Sequence, residues 1–304
     1  MKILCLHGRG SNNEIFQVQT ASLRSDLDDF TFEFVQGTDL HTEGNWSLYT
    51  TMFSNLPQYG YYNPLVPSSI IEAEDHLLEF IKEEASSSSS AAAGYFDGVL
   101  GYSGGAAFAA QAFIRHKLQN PPDCPPLFRF AVFINGGTPL KAFSINDVSE
   151  VNKQDGSWDS SSSAAEEQLN RELVANFLRP SNLRARKGEN LADAEAAIAS
   201  RKKEIDKLRT GVLADGRAFI AAGGEAEVGV TRYDSERDGT LIDIPTLHVR
   251  CPHEEDPNNG LNLLKLCEPS LAREYHHPFG HDFPRGHVEM KKIAQLVRET
   301  AESV

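Results

Sequence analysis

The 304-residue sequence predicts an α/β fold: a mostly parallel sheet flanked by helices and enlarged by a helical cap insertion. Two observations carry that prediction. Apolar segments punctuated by glycine alternate with amphipathic stretches along the chain. One Gly-x-Ser-x-Gly pentapeptide also stands directly after such a segment and directly before an Ala-rich stretch.

Taken in order, residues 3–6 read as a first strand, 30–35 as a second and 95–101 as a third. Residues 128–134, 245–251 and 271–276 supply the fourth, fifth and sixth. Helices are expected over 70–84, 104–118, 260–267 and 287–301, where apolar side chains recur at three- and four-residue intervals, as at Leu77, Phe80 and Ile81. The serine and alanine run 86–93 reads as a flexible surface linker. A longer interruption covers 147–243 and includes a second low-complexity patch at 160–163. Its middle, 164–213, is rich in Ala, Glu, Lys, Arg and Leu and is expected to be helical, broken at Pro180 because proline cannot continue a helix. The expected division is therefore a core of 1–146 and 244–304 with a helical cap over 147–243, placed where lids tend to sit at strand ends.

Composition excludes several classes of function. Lys plus Arg number 29 against 43 Asp plus Glu, and 29 − 43 = −14 argues against nucleic-acid or anionic-membrane partners. With 40% apolar residues the chain can bury a sizeable core, so a disordered or fibrous protein is excluded. No stretch approaches the roughly 18 apolar residues of a membrane span. The N-terminus turns polar at His7-Gly8, too early for a secretory leader, and the C-terminal Glu-Ser-Val is no peroxisomal address, so a cytoplasmic enzyme is expected. Cys5, Cys124, Cys251 and Cys267 form no CxxC pair and read as reduced thiols, mostly buried.

The chemistry is expected at Gly101-Tyr102-Ser103-Gly104-Gly105. A serine on a tight strand-to-helix turn presents its hydroxyl from a strained backbone, and a Cβ two residues to either side would collide with that turn. A Gly-rich helix start that cradles a phosphate is the competing reading. A nucleophilic serine needs a base, and in the Ser, acid, His chain order of α/β-hydrolases the histidine comes last. His281, in the loop between the sixth strand and the last helix, fits that place; His276 and His277 close the strand, and His287 starts the helix. The acid is expected in the loop after 245–251, with Asp256 favoured and Glu254 and Glu255 as reserves. A metal reading of His253, Glu254 and Asp256 is disfavoured, since neighbouring loop residues rarely converge on one ion, and no cofactor is implied. Oxyanion donors are expected at the backbone N–H of Gly104 and of Arg9, although His7-Gly8 also reads as a plain turn that ends the first strand.

Five segments together carry a family resemblance: LCLHGRGSNNEIFQVQTASLR (4–24), FEFVQGT (32–38), FDGVLGYSGGAAFAAQ (96–111), IPTLHVRCPHEEDP (244–257) and FGHDFP (279–284). They resemble the fungal serine hydrolase, or FSH, family over most of the chain outside 147–243. The resemblance implies the α/β-hydrolase fold and a Ser-Asp-His triad on Ser103, Asp256 and His281. It also implies an esterase or thioesterase of fungal secondary metabolism, for example one releasing a polyketide from its carrier. Family members usually place the acid about six residues beyond the histidine of the LHV strand; Asp256 lies eight beyond His248.

The leading expectation is hydrolysis of a carboxylic ester or acyl thioester. An acyltransferase could use the same triad, and a non-catalytic binding protein could keep the same fold. Residues 171–217 hold eleven Lys or Arg and seven Asp or Glu, and 11 − 7 = +4 makes an acyl-carrier protein a candidate partner, docking near Arg201, Lys202 and Lys203; a solvated helix face is the blander reading.

Overall fold

The computed structural model describes residues 1–41, 54–87, 96–145, 199, 208–221, 228–254 and 258–304. Strands β1 (Lys2–Leu6), β2 (Thr31–Val35), β5 (Gly98–Tyr102), β6 (Phe130–Ile134), β11 (Thr246–Arg250) and β12 (Ala272–His276) form one sheet in the order β12-β11-β6-β5-β1-β2. Every pairing in it is parallel, for example Leu6 beside Val35 and Gly101 beside Phe133. These are the six strands expected from the sequence, with ends shifted by up to three residues. Their apolar runs follow from burial on both faces. Leu4, Leu6, Val99, Ala131 and Phe133 enter one core, while Ile3, Cys5, Leu100, Val132 and Ile134 enter the other.

Helices α1 (Asn13–Gln19) and α2 (Ala21–Ser25) lie between β1 and β2, and two short strands, β3 (Asp39–Leu40) and β4 (Tyr59–Gly60), pair antiparallel. Helices α3 (Pro67–Ser87) and α4 (Gly104–Gln119) cover the first face with Leu77, Ile81, Phe108 and Ile114. The second face is covered by Phe16 and Leu23 of α1 and α2 and by Met290, Ile293 and Val297 of α7 (His287–Glu302). Full burial of one such Leu or Ile contributes roughly 1.5–3 kcal/mol. The result is three layers, helix on sheet on helix, in the α/β-hydrolase fold.

The insertion corrects one expectation. Residues 209–213, expected to end a helix, start a second sheet: β8 (Arg209–Val212), β9 (Ala218–Ala221), β10 (Val228–Arg232) and β7 (Leu140–Ser144), in the antiparallel order β7-β10-β9-β8. The physical cause lies in Asp215-Gly216. Gly216 takes φ +86°, Leu213 N–H donates to Arg217 O at 2.8 Å, and the hairpin closes with Phe219 and Ile220 buried. Arg217 clamps the turn against Asp215 at 2.7 Å and against Asp238 of α5 (Ser235–Asp238) at 2.5 Å. Ala199 is helical, whereas the rest of the expected cap helices, Pro180 and the basic trio Arg201, Lys202 and Lys203 lie outside the described residues. So does most of the linker at 86–93. The helix expected over 260–267 is the short α6 (Leu261–Lys265), anchored by the buried Leu263. Cys5, Cys251 and Cys267 are buried free thiols, and Cys124 is a partly exposed one. Among the described residues no helix is long and apolar enough to cross a membrane.

Candidate active site

Ser103 sits on the turn from β5 into α4 with φ +51° and ψ −114°, a conformation rare for a residue with a side chain. The surroundings over-determine it. Its N–H donates to Ile134 O at 2.8 Å, and its carbonyl accepts from Ala107 and Gly137 N–H, each at 3.2 Å. The flanking glycines are required sterically. A Cβ on Gly101 would come within 2.5 Å of Ala106 Cα, and one on Gly105 would fall on the carbonyl oxygens of Leu6 and His7. The helix start therefore presses directly on the β1 backbone, and the serine hydroxyl is left pointing off the end of the sheet.

His281 follows β12 in the loop before α7 and sets Nε2 2.8 Å from Ser103 Oγ. Its Nδ1 lies 2.9 Å from Glu254 Oε2, and the amide nitrogen of Asn259 lies 2.8 Å from that Nδ1. The Glu254 side chain is only 4% exposed, against 34% for His281. Glu254 stands in the loop after β11, so Glu254 and His281 follow neighbouring parallel strands. Asp256 and Glu255 lie outside the described residues. The described carboxylate on His281 is that of Glu254, six residues beyond His248 (254 − 248 = 6).

A family model described as Serine hydrolase (FSH1) matches residues 1–160, more than half of the chain, including the serine pentapeptide. The protein belongs to the FSH1 serine hydrolase family. Hydrolase FUB4 of Fusarium oxysporum f. sp. lycopersici is 27% identical over the full length of both chains. Esterase FPY3 of Fusarium mangiferae is 35% identical over 154 residues, 49% of this chain and 63% of its own. Esterase alnB of Emericella nidulans is 26% identical over 93% of this chain and 90% of its own. The protein is thus an enzyme of the hydrolase class.

In this FSH1 serine hydrolase the loop after β1 borders Ser103. The position a Gly104 Cβ would take is 3.3 Å from Arg9 N, and Gly8 lies against the Tyr102 ring and Ser103 Cβ. The turn at Gly8 is shaped by His7. Fully buried, its Nδ1–H donates to Gly8 O at 2.8 Å and its Nε2 accepts from Gly37 N–H at 3.0 Å. Burial holds its pKa down at about 4, so the ring is neutral.

His277, four residues before His281, is the counterpart of His7 on the other side of the site. Its Nε2–H donates to Asn135 Oδ1 at 2.9 Å, its Nδ1 accepts from Phe279 N–H at 3.2 Å, and desolvation lowers its pKa to about 4. His7 and His277 are therefore opposite tautomers, each fixed by its partners. Sequence reasoning missed both Asn135 and Asn259. The only signal for Asn135 is its place between a strand and Gly136-Gly137, where asparagine tolerates the observed φ of +45°.

Proposed function

We propose that the protein cleaves a carboxylic ester or acyl thioester through Ser103, His281 and Glu254, by way of an acyl-enzyme. The observation that carries this reading is the 2.8 Å approach of His281 Nε2 to the hydroxyl of a serine held at positive φ. Ser103 Oγ attacks the acyl carbon while His281 Nε2 takes its proton. The Nδ1–H donates to Glu254, whose ionised carboxylate stabilises the imidazolium. The negative charge on the former carbonyl oxygen meets the backbone N–H groups of Gly104 and Arg9; the Gly104 N–H opens a helix and has no acceptor within it. His281 then returns the proton to the leaving alkoxide or thiolate. In the second half, water gives its proton to His281 as it attacks the acyl carbon, releasing the carboxylic acid and restoring Ser103.

The names hydrolase and esterase among the relatives favour an ester as the first substrate class. The family resemblance extends the proposal to acyl release in fungal secondary metabolism. The positive 171–217 segment adds an acyl-carrier protein as partner, and a cytoplasmic location fits such a role.

Ser103→Ala tests the mechanism. Turnover of p-nitrophenyl acetate and of an acyl thioester should fall by about 10⁴-fold or more, with circular dichroism unchanged. A fluorophosphonate should label wild-type Ser103 and leave the variant unlabelled. Wild-type rates in the variant would overturn the reading.

A further inference from the structure

The loop that carries His281 is gripped through three consecutive carbonyls. Asn135 Nδ2 donates to Gly280 O at 3.4 Å and to Asp282 O at 3.0 Å, and the Tyr102 hydroxyl donates to His281 O at 2.6 Å. Asn135 is fully buried at the end of β6, and its backbone N–H donates to Val249 O at 2.8 Å. Its Oδ1 accepts from His277, whose own N–H donates to Arg250 O at 3.0 Å. Both amide protons and the amide oxygen are thus engaged. Phe283 anchors the far end of the loop in the core beside Phe16 and Tyr102, whereas Gly280 takes φ +62° with nothing within 4 Å of where a Cβ would be, so the carbonyls are what fix the stretch around His281.

We propose that Asn135, with His277 behind it, is the positioning residue that holds His281 against Ser103 and Glu254. The proposal rests on the reading of His281 as general base. Asparagine suits the task for two reasons. It offers two donors to two carbonyls while accepting from an imidazole N–H, which neither aspartate nor leucine can do. It also accepts the left-handed backbone at this corner. A general base must stand within hydrogen-bond reach of the hydroxyl it deprotonates, and a misplacement of about 1 Å can cost about 10²-fold in rate.

The test compares the full-length wild type with Asn135→Gly, which keeps the backbone angle and removes the amide. It adds His277→Ala and His277→Gln, the latter supplying an amide N–H in place of Nε2–H. Each is assayed for kcat and KM on p-nitrophenyl acetate and for the downfield proton resonance of His281 Nδ1–H. Asn135→Gly should lower kcat about 30-fold with KM within about twofold, and should broaden or remove that resonance. His277→Ala should behave in the same direction, and His277→Gln should recover most of the loss. A folded Asn135→Gly with kcat within about twofold of wild type and an unchanged resonance would overturn the proposal. If Asn135→Gly does not fold, equal kcat in the two His277 variants overturns it. Failure of the hydrolase reading shows separately, as wild-type Ser103 that a fluorophosphonate does not label; the Nδ1–H resonance in Asn135→Gly then decides the positioning role alone.

Discussion

Ser103 and His281 meet at 2.8 Å, yet they are brought there by different physics. The serine is held by the hard geometry of its own neighbourhood: a positive φ, two glycines with no room for a Cβ, and a helix start pressed on β1. The histidine is held by directional hydrogen bonds from far along the chain. Glu254 lies 27 residues away, Tyr102 lies 179 away, and the grip on Asp282 comes from Asn135, 147 residues away. The serine side should therefore fail by unfolding, whereas the histidine side should fail by losing rate while the fold survives.

Short of removing the Ser103 hydroxyl itself, the largest effect on rate should come from the histidine side. Glu254→Gln removes the charge that stabilises the imidazolium, and kcat/KM for p-nitrophenyl acetate should fall by about 10³-fold or more. Asp256→Asn, assayed beside it, should stay close to wild type. If the Asp256 variant lost the greater part of the rate, the acid would have to be reassigned.

The serine side gives the largest effect on stability. Gly105→Ala would press a methyl group into the carbonyls of Leu6 and His7, and the helix could escape only by leaving the sheet. A loss of about 3 kcal/mol is expected in urea titration, together with loss of activity. An alanine variant as stable as the parent would show that the elbow is softer than its contacts imply.

A smaller effect is a pH dependence that both sides share, because His277 has the same lowered pKa as His7. His7 has a native pKa of about 4 against an ordinary 6.5, so below pH 6.5 the unfolded chain binds a proton that the native ring refuses. Stability from this group is complete above about pH 6.5 and is lost as pH falls toward 4, by at most about 3 kcal/mol. His248, buried between strands with a pKa of about 3, adds to the same slope. His7→Gln should flatten the melting-temperature profile between pH 6.5 and 4; an unaltered slope would assign the acid sensitivity elsewhere.

Much of the fold is legible along the chain because its causes are local. The six strands announce themselves as short apolar runs, since a sheet buried on both faces has no polar side to show. The pentapeptide announces the elbow, since only glycine fits beside it. The hairpin of β8 and β9 is hidden in a stretch whose Ala, Glu, Lys and Arg content favours helix, although Asp215-Gly216 marks its turn.

The choice of acid is of another kind. Glu254, Glu255 and Asp256 are chemically near-equivalent in sequence, and which carboxylate faces Nδ1 depends on how the β11 loop leaves the sheet. Asn135 has no mark beyond a strand end and the two glycines after it. The sequence by itself determined the layered α/β fold, the strained serine turn and the place of the late histidine, because steric fit and hydrophobic pattern act between near neighbours. Only the tertiary structure decided that Glu254 meets His281 and that Asn135 and Tyr102 hold the loop, because hydrogen bonds across 27 to 179 residues exist only once the parallel strands have been set side by side.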